Sequence, residues 1–193
     1  MNSTHWRPCL DLALYRNRRS AQARYVQLAT IRDDGRPANR TVVFRGFVEG
    51  TDLLIFTTDG RSRKVEQVGR TPWAEACWYF PESREQFRLL GRPSVVRADH
   101  PDRSLAEARL DTWRTLSDAA RLAFDWPEPG GLRAETASFE VEPLDPERPS
   151  PHFCLLLISP IEVDHLELRG GPQDRWSYTS PDGSHWTVRA INP

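Results

Sequence analysis

The chain has 193 residues, 38% of them apolar and 27% charged, with a formal net charge of −1. That length fits one domain able to bury a core without staples, and the balanced charge argues against a broad electrostatic footprint for nucleic acid. Three well-separated cysteines (Cys9, Cys77 and Cys154) and five scattered histidines give neither a disulfide framework nor a zinc-ligand spacing, so no metal is expected.

The opening Met1-Asn2-Ser3-Thr4-His5-Trp6, soon followed by Asp11, does not read as a signal peptide. The longest purely apolar run, residues 153–158, is too short to cross a bilayer, so a cytoplasmic protein with no membrane partner is expected. Residues 6–19 carry Trp6, Leu10, Ala13 and Leu14 at helical spacing, and Arg16, Arg18 and Arg19 suit the negative end of that helix. Residues 23–31 read as a strand, Asp33-Asp34-Gly35 as a turn, and residues 39–48 as the second arm of a hairpin. A third strand is expected at 51–58, then a short helix at 62–68 with Ser62 as N-cap, then strands at 73–80 and 85–96. A longer helix spans about 101–116, and Ser117-Asp118 caps another short one. Residues 132–137 are ambiguous, 139–141 look extended, and the proline-rich stretch 143–151 is a loop. Segments 153–168, 174–179 and 184–191 complete a meander. The expected fold class is mainly β (α+β): a small β-barrel with peripheral helices. It divides into an N-terminal helix (about 6–19), a barrel core (about 23–97), a helical insertion (about 101–130) and C-terminal strands (about 153–191).

The most informative stretch is Asp59-Gly60-Arg61-Ser62-Arg63-Lys64. Cations in the first turn of a helix oppose its dipole, at a cost of some tenths of a kcal/mol up to about 1. A bound phosphate would offset that cost by engaging the free helix N–H groups together with Arg63 and Lys64; the alternative is that both side chains bend into solvent. Nearby, Arg40 and Arg45 end the run Arg-Thr-Val-Val-Phe-Arg. Their odd separation puts them on opposite faces of a regular strand, so one ligand meets both only through a bulge, a strand edge or the backbone. Gln86 and Arg88 share a strand face, where a glutamine amide can both donate to and accept from a flat heterocycle.

In this order, residues 40–45, Phe-Thr-Thr-Asp at 56–59, Ser-Arg-Lys at 62–64 and Glu-Gln-Phe-Arg-Leu-Leu-Gly at 85–91 resemble the FMN-binding core of the pyridoxamine 5'-phosphate oxidase family. Gln27-Leu28-Ala29-Thr30 and Gly35-Arg36-Pro37 resemble the hairpin that precedes that core, so the likeness covers about residues 23–97. Trp113, Leu116-Ser117, Arg121 and Trp126-Pro127-Glu128-Pro129-Gly130 are similar to a divergent branch typified by a cyanobacterial flavin-binding protein.

The resemblance implies an FMN-binding split β-barrel that forms a homodimer with FMN at the subunit interface. It places Arg40, Thr41, Val42, Val43 and Arg45 along the flavin, with Thr57 and Thr58 beside the cofactor. Arg63 and Lys64 would hold the phosphate, Gln86 the isoalloxazine ring, and Arg175, in Asp174-Arg175-Trp176, is a further contact. The family lysine that binds substrate phosphate is replaced by Arg45, whose planar fork differs from an ammonium. The family's substrate stretch before the late Asp-Arg becomes Gly171-Pro172-Gln173. Trp113, Ser117 and Arg121 align loosely with the substrate-phosphate clasp, so Arg45, Trp113 and Arg121 are the candidate substrate contacts. His165 stands where the family has a flavin-contacting tryptophan; it reads either as a flavin neighbour or as a partly exposed strand histidine without a role in the reaction. Trp126 is a candidate cofactor lid, and most of the other tryptophans are expected in the core or a dimer interface.

The implied activity is an FMN-dependent oxidoreductase that moves a hydride from a small substrate to the flavin, with dioxygen as acceptor. The alternatives are a flavin-dependent reductase with another substrate and a non-enzymatic flavin-binding protein. No GxGxxG follows a strand, and no acid, base or nucleophile is singled out.

Overall fold

The computed structural model describes residues 5–183 and 185–193. Eight strands follow in chain order: β1 (Tyr25–Ile31), β2 (Pro37–Phe47), β3 (Leu54–Asp59), β4 (Ala74–Phe80), β5 (Glu85–Val96), β6 (Phe153–Glu167), β7 (Asp174–Thr179) and β8 (Thr187–Ile191). Helix α1 (Arg7–Arg16) precedes them, α2 (Arg63–Arg70) joins β3 to β4, and α3 (Arg103–Arg114) and α4 (Asp118–Leu122) lie between β5 and β6. Every pairing is antiparallel, in the order β3-β2-β1-β4-β5-β6-β7-β8, and β3 also pairs with β6. That last pairing closes six strands into a barrel and leaves β7 and β8 as an extension. The architecture is the mainly-β split barrel with peripheral helices.

Two apolar clusters explain why these segments hold together. Alternate residues of β1, β2, β4 and β5 (Val26, Leu28, Val42, Phe44, Ala76, Trp78, Phe87, Leu89) point into the barrel, and Trp6, just before α1, and Leu10 of α1 join the same cluster. Across the closing strands, Trp113, Leu116 and Phe124 pack on Phe153, Leu155 and Leu157 of β6, so α3 and α4 cover the outside of the closure. The run at 153–158 is therefore apolar on both faces because both are covered.

Several elements differ from their sequence-based bounds for identifiable reasons. Residues 21–24 form a 3-10 turn capped by Ser20, so β1 starts only at Tyr25. Residues 139–141 are not a strand: Thr136–Phe139 is a 3-10 turn, stabilised by the edge contact of Phe139 with Trp126. Ser62 does precede α2, but its side chain makes no cap bond; it accepts from the Lys64 ammonium instead. The leader reading at residues 1–4 and the expected strand start at Ser184 fall outside the described residues. Among the described residues no helix is long and apolar enough to cross a membrane.

Gly91 sits where β5 shifts register against β6. A Cβ there would lie 2.3 Å from the Ser159 carbonyl oxygen, which is backbone and cannot swing away. Gly91→Ala is expected to destabilise the fold by about 3 kcal/mol, read as a lower urea midpoint at unchanged slope.

Candidate cofactor site

The barrel opens where β2 and β3 part. The two strands pair only at Phe44↔Phe56, Gly46↔Ile55 and Phe47↔Leu54; beyond Phe44, β2 continues with β1 while Thr57, Thr58 and Asp59 continue with β6. Residues 37–43 therefore keep one backbone edge free of β3. Helix α2 leaves β3 at this gap, with its N-terminus beside that edge.

Cations gather in the gap. The Lys64 ammonium donates to Thr58 Oγ1 (3.0 Å) and Ser62 Oγ (2.8 Å). Arg40 donates to the Leu28 carbonyl (3.1 Å), Thr30 Oγ1 (2.7 Å) and Gln67 Oε1 (3.1 Å). Burial pulls Lys64 below its ordinary pKa and the charge of Arg40 pulls it further, against partial relief from Asp59. Asp59 itself is taken by Arg61 at 2.7 Å, and Arg61 also binds the carbonyls of Phe124 (3.1 Å) and Trp126 (2.9 Å). This pins the Trp126 loop beside α2, with Gly130 approaching Arg63. Arg63 is exposed and lines a cavity of about 520 Å³ with Arg40, Asn39, Glu66 and Gln67. Two partly buried cations thus stand at a helix start whose serine makes no side-chain cap bond, a setting whose charge and donors suit an anion.

A second group lies on the outer face of the sheet. Cross-strand partners Tyr79, Gln86, Leu166, Arg175 and Ile191 form one row. Beside it, Arg175 grips Asp164 through Nε (3.0 Å) and Nη2 (2.8 Å), and Arg88 reaches the same carboxylate at 3.2 Å. Burial alone would raise Asp164; the two guanidiniums overcome that and hold it below the usual carboxylate range. Thr41 is exposed and Val43 half-buried on this outer surface, whereas the Val42 side chain points into the barrel and can offer a ligand only its backbone. Thr57 is half-buried on the opposite side of β3 from Thr58.

Arg45 is the extra residue of the bulge between Phe44 and Gly46, next to a glycine at φ +140° that other residues rarely adopt. Its buried Nε has no hydrogen-bond partner. The bulge does not bring it to Arg40: it lines a separate cavity of about 720 Å³ against α3, with Phe47, Ile55, Ala108 and Thr112.

Two expected substrate contacts are committed elsewhere. Trp113 is fully buried, with its indole N–H on the Asp145 carbonyl (3.0 Å) and its ring on Phe124 and Phe153. Arg121, 7% exposed, donates to the carbonyls of Trp113 (3.3 Å) and Leu116 (2.7 Å), closing the end of α3. Neither presents a donor outward. His165 is neither partly exposed nor beside Gln86. Strand alternation turns it inward, 1% exposed and stacked 4.0 Å from Phe87, and Leu166 is the residue between Gln86 and Arg175.

Sequence reasoning missed Asp164, Thr30 and Gln67. The only available signals were Gln67 three residues after Lys64 on one helix face and the hairpin register that sets Arg40 opposite Leu28. Glu85, His165 and Glu167 also converge, their ligand-type atoms within 4.8 Å of one another. His165 Nε2 bonds Glu85 at 3.0 Å and Arg16 reaches Glu85 at 3.4 Å, so the buried Glu85 carboxylate is paired, while His165 Nδ1 has no hydrogen-bond partner.

The fold is thus a split barrel with cations gathered at the β2–β3 gap. The sequence profile of the pyridoxamine 5'-phosphate oxidase FMN-binding domain matches residues 3–97. The chain is 41% identical over 192 residues to pyridoxine/pyridoxamine 5'-phosphate oxidase 2 of Arabidopsis thaliana, spanning 97% of this chain and 96% of that one. A crystal structure of a pyridoxamine 5'-phosphate oxidase-related, FMN-binding protein from Nostoc punctiforme superposes with TM-score 0.93 at 53% identity over 100% of both chains. PhzG from Burkholderia lata, solved with tetrahydrophenazine-1-carboxylic acid, shares the fold at TM-score 0.72 and 20% identity, covering 97% of this chain and 89% of its own. The chain belongs to the pyridoxamine 5'-phosphate oxidase family.

The Glu85–His165 pair carries a pH signature. Burial alone would lower His165, but Cys9 and Glu85 raise it above its ordinary 6.5. Burial alone would raise Glu85, but His165, Ser83 and Arg16 hold it below 4.5. The histidine's contribution to stability is complete below pH 6.5 and fades as pH rises through its higher folded value. The glutamate's is complete above pH 4.5 and fades as pH falls through its lower folded value. Glu85→Gln is expected to cost about 3 kcal/mol, with the difference from the parent protein largest between pH 4.5 and 6.5. Urea denaturation across that range checks it.

Proposed function

We propose that this protein is an FMN-dependent oxidoreductase that takes a hydride from a small amine- or alcohol-bearing substrate and hands the electrons to dioxygen. The observation that carries the reading is the anion cradle of Arg40, Lys64, Ser62 and Thr58 at the free edge of β2, which suits a flavin phosphate in charge and in donors. Arg63 lines a cavity with Arg40 and would be a further phosphate cation. Thr41 and Val43 lie along the outer surface, where a flat ring needs backbone donors and a shallow apolar floor. Gln86 offers an amide to that ring, and Arg175, oriented by Asp164, offers a guanidinium. Bound FMN supplies the hydride-accepting chemistry; the chain's part is to bind, orient and shield it.

A homodimer with FMN at its interface fits the outer sheet face, where Tyr25 and Tyr79 stay 45% and 44% exposed in a single chain. A cytoplasmic setting belongs to the same proposal. A different substrate within the same chemistry is favoured by one observation: Trp113 and Arg121, aligned with the family's substrate-phosphate clasp, are spent on internal contacts. Arg45, which lines the cavity beneath α3, is the remaining cation for a substrate anion. That reading keeps a flavin reductase and a purely flavin-binding role as outcomes to be tested.

Purified protein titrated with FMN is expected to develop a bound-flavin spectrum. Pyridoxamine 5'-phosphate added in air should then either bleach it with release of hydrogen peroxide, which supports the vitamin-phosphate oxidase, or leave it unchanged, which supports another substrate. Arg63→Ala with Lys64→Ala should raise the FMN Kd at least about 100-fold, since hydrogen bonds to charged groups contribute about 1.5–3 kcal/mol each. Wild-type affinity in a folded double variant would refute the phosphate site.

A further inference from the structure

The turn that opens α2, residues 59–64, carries three cations and a single carboxylate, Asp59. That carboxylate is the group least suited to an anion site. It ends β3 directly after Thr58, whose hydroxyl takes the Lys64 ammonium at 3.0 Å. The Asp59 backbone is woven into the same turn, its carbonyl accepting from Thr58 Oγ1 (3.3 Å) and from the Ser62 N–H (3.1 Å). Left free, the side chain would repel an incoming phosphate and compete with it for Lys64.

Arg61 prevents this. Its backbone N–H (2.7 Å) and Nε (3.1 Å) bind one Asp59 oxygen, and its Nη2 binds the other at 2.7 Å. Only 11% of the Asp59 side chain and 25% of the Arg61 side chain are exposed, so water screens the pair weakly. The guanidinium is held from its far side as well: Nη2 also donates to the carbonyls of Phe124 (3.1 Å) and Trp126 (2.9 Å), 63 and 65 residues away in the chain. Lys64, by contrast, bonds only the neutral hydroxyls of Thr58 and Ser62. Burial and then Arg40 hold its pKa below the ordinary lysine value, and Asp59, even when paired, offsets part of that.

We propose that Arg61 is a positioning residue for the anion site: it occupies the Asp59 carboxylate, so that Lys64 stays available to a phosphate, without itself touching the ligand. The loop carbonyls of Phe124 and Trp126 keep its fork on Asp59. A lysine would not replace it, because one ammonium cannot match the two-oxygen grip. The proposal rests on the flavin-phosphate reading of this site.

Two measurements test it on Arg61→Ala, Asp59→Asn and the double variant, each checked for folding by circular dichroism. In the first, FMN is titrated into the flavin-free chain. Arg61→Ala is expected to raise the Kd at least about tenfold, the scale of one charge-assisted hydrogen bond. Asp59→Asn alone should leave the Kd near that of the wild type, and the double variant should recover most of the loss. A pair that only braced the turn would give a double variant no better than Arg61→Ala.

The second measurement needs no cofactor. Lys64 is the only lysine of the chain, so carbon-13-labelled lysine gives one side-chain signal to follow by NMR against pH. A released carboxylate favours the ammonium, so Lys64 should titrate at higher pH in Arg61→Ala than in the wild type and return in the double variant. Arg61→Gln, which keeps an amide donor for the loop carbonyls, carries the same comparisons if Arg61→Ala does not fold. An unmoved Lys64 titration in the folded single variant would overturn the proposal, as would a wild-type FMN Kd there or a double variant as weak as the single one. If the wild-type chain takes up no FMN, the flavin reading fails separately, and the Lys64 titration alone decides whether Arg61 governs the site.

Discussion

The structure depends on one strand having to satisfy three neighbours. β6, 15 residues long, pairs with β5 along nearly its whole length, with β3 through its first six residues and with β7 through its last six. A strand interior to a closed sheet cannot leave a ladder group unpaired without cost. β3 therefore follows β6 rather than β2 from Thr57 onward, and the barrel opens between β2 and β3. The gap that receives the cations is thus a consequence of how the barrel closes. Helix α2 begins just after β3 ends, which delivers Lys64 to the opening, while Val68 anchors the helix against the barrel core.

The period of two along β5, β6 and β7 then sorts chemistry onto two surfaces. One row turns inward (Trp78, Phe87, His165, Trp176) and the adjacent row outward (Tyr79, Gln86, Leu166, Arg175). A slip of one residue would exchange them, so the register protecting the Glu85–His165 pair also presents Gln86 and Arg175. The inward row has little tolerance for uncompensated charge. Glu85 and Glu167 are direct cross-strand partners, and the repulsion between them is offset by His165 and Arg16.

The segment between β5 and β6 shows how the same residue types can serve packing instead of recognition. Arg109 and Arg121 are buried, and both donate to backbone carbonyls: Phe153 and Ser150 for Arg109, Trp113 and Leu116 for Arg121, whose Nη2 also pairs with Asp118 while its Nε has no partner. Trp113 fills the space between α3 and β6. These contacts fix the helices over the barrel closure, and they leave Arg45 as the cation facing the cavity beneath α3.

Much of the fold was legible in the sequence because strand alternation, turn residues and helix caps are local. The β5 bounds, the short α2, the Ser117 cap of α4 and the late meander all rest on neighbours within a few residues. The cation turn at 59–64 was legible too, since helix-dipole electrostatics flag misplaced cations without knowledge of the rest of the chain. Which face a side chain takes was decided by pairing between distant segments. His165 reads as an ordinary strand histidine until β5 sets it beside Glu85, 80 residues away. Arg121 reads equally as an anion ligand or a salt-bridging residue until the end of α3 folds over it, and a bulge that could have brought Arg45 round to Arg40 leaves the two lining different cavities. The sequence by itself determined most of the elements and the cation-rich turn at 59–64, because those follow from local conformational preference and charge. Only the tertiary structure decided which polar groups are spent on one another and which remain free, because that is set by register and burial across long separations in the chain.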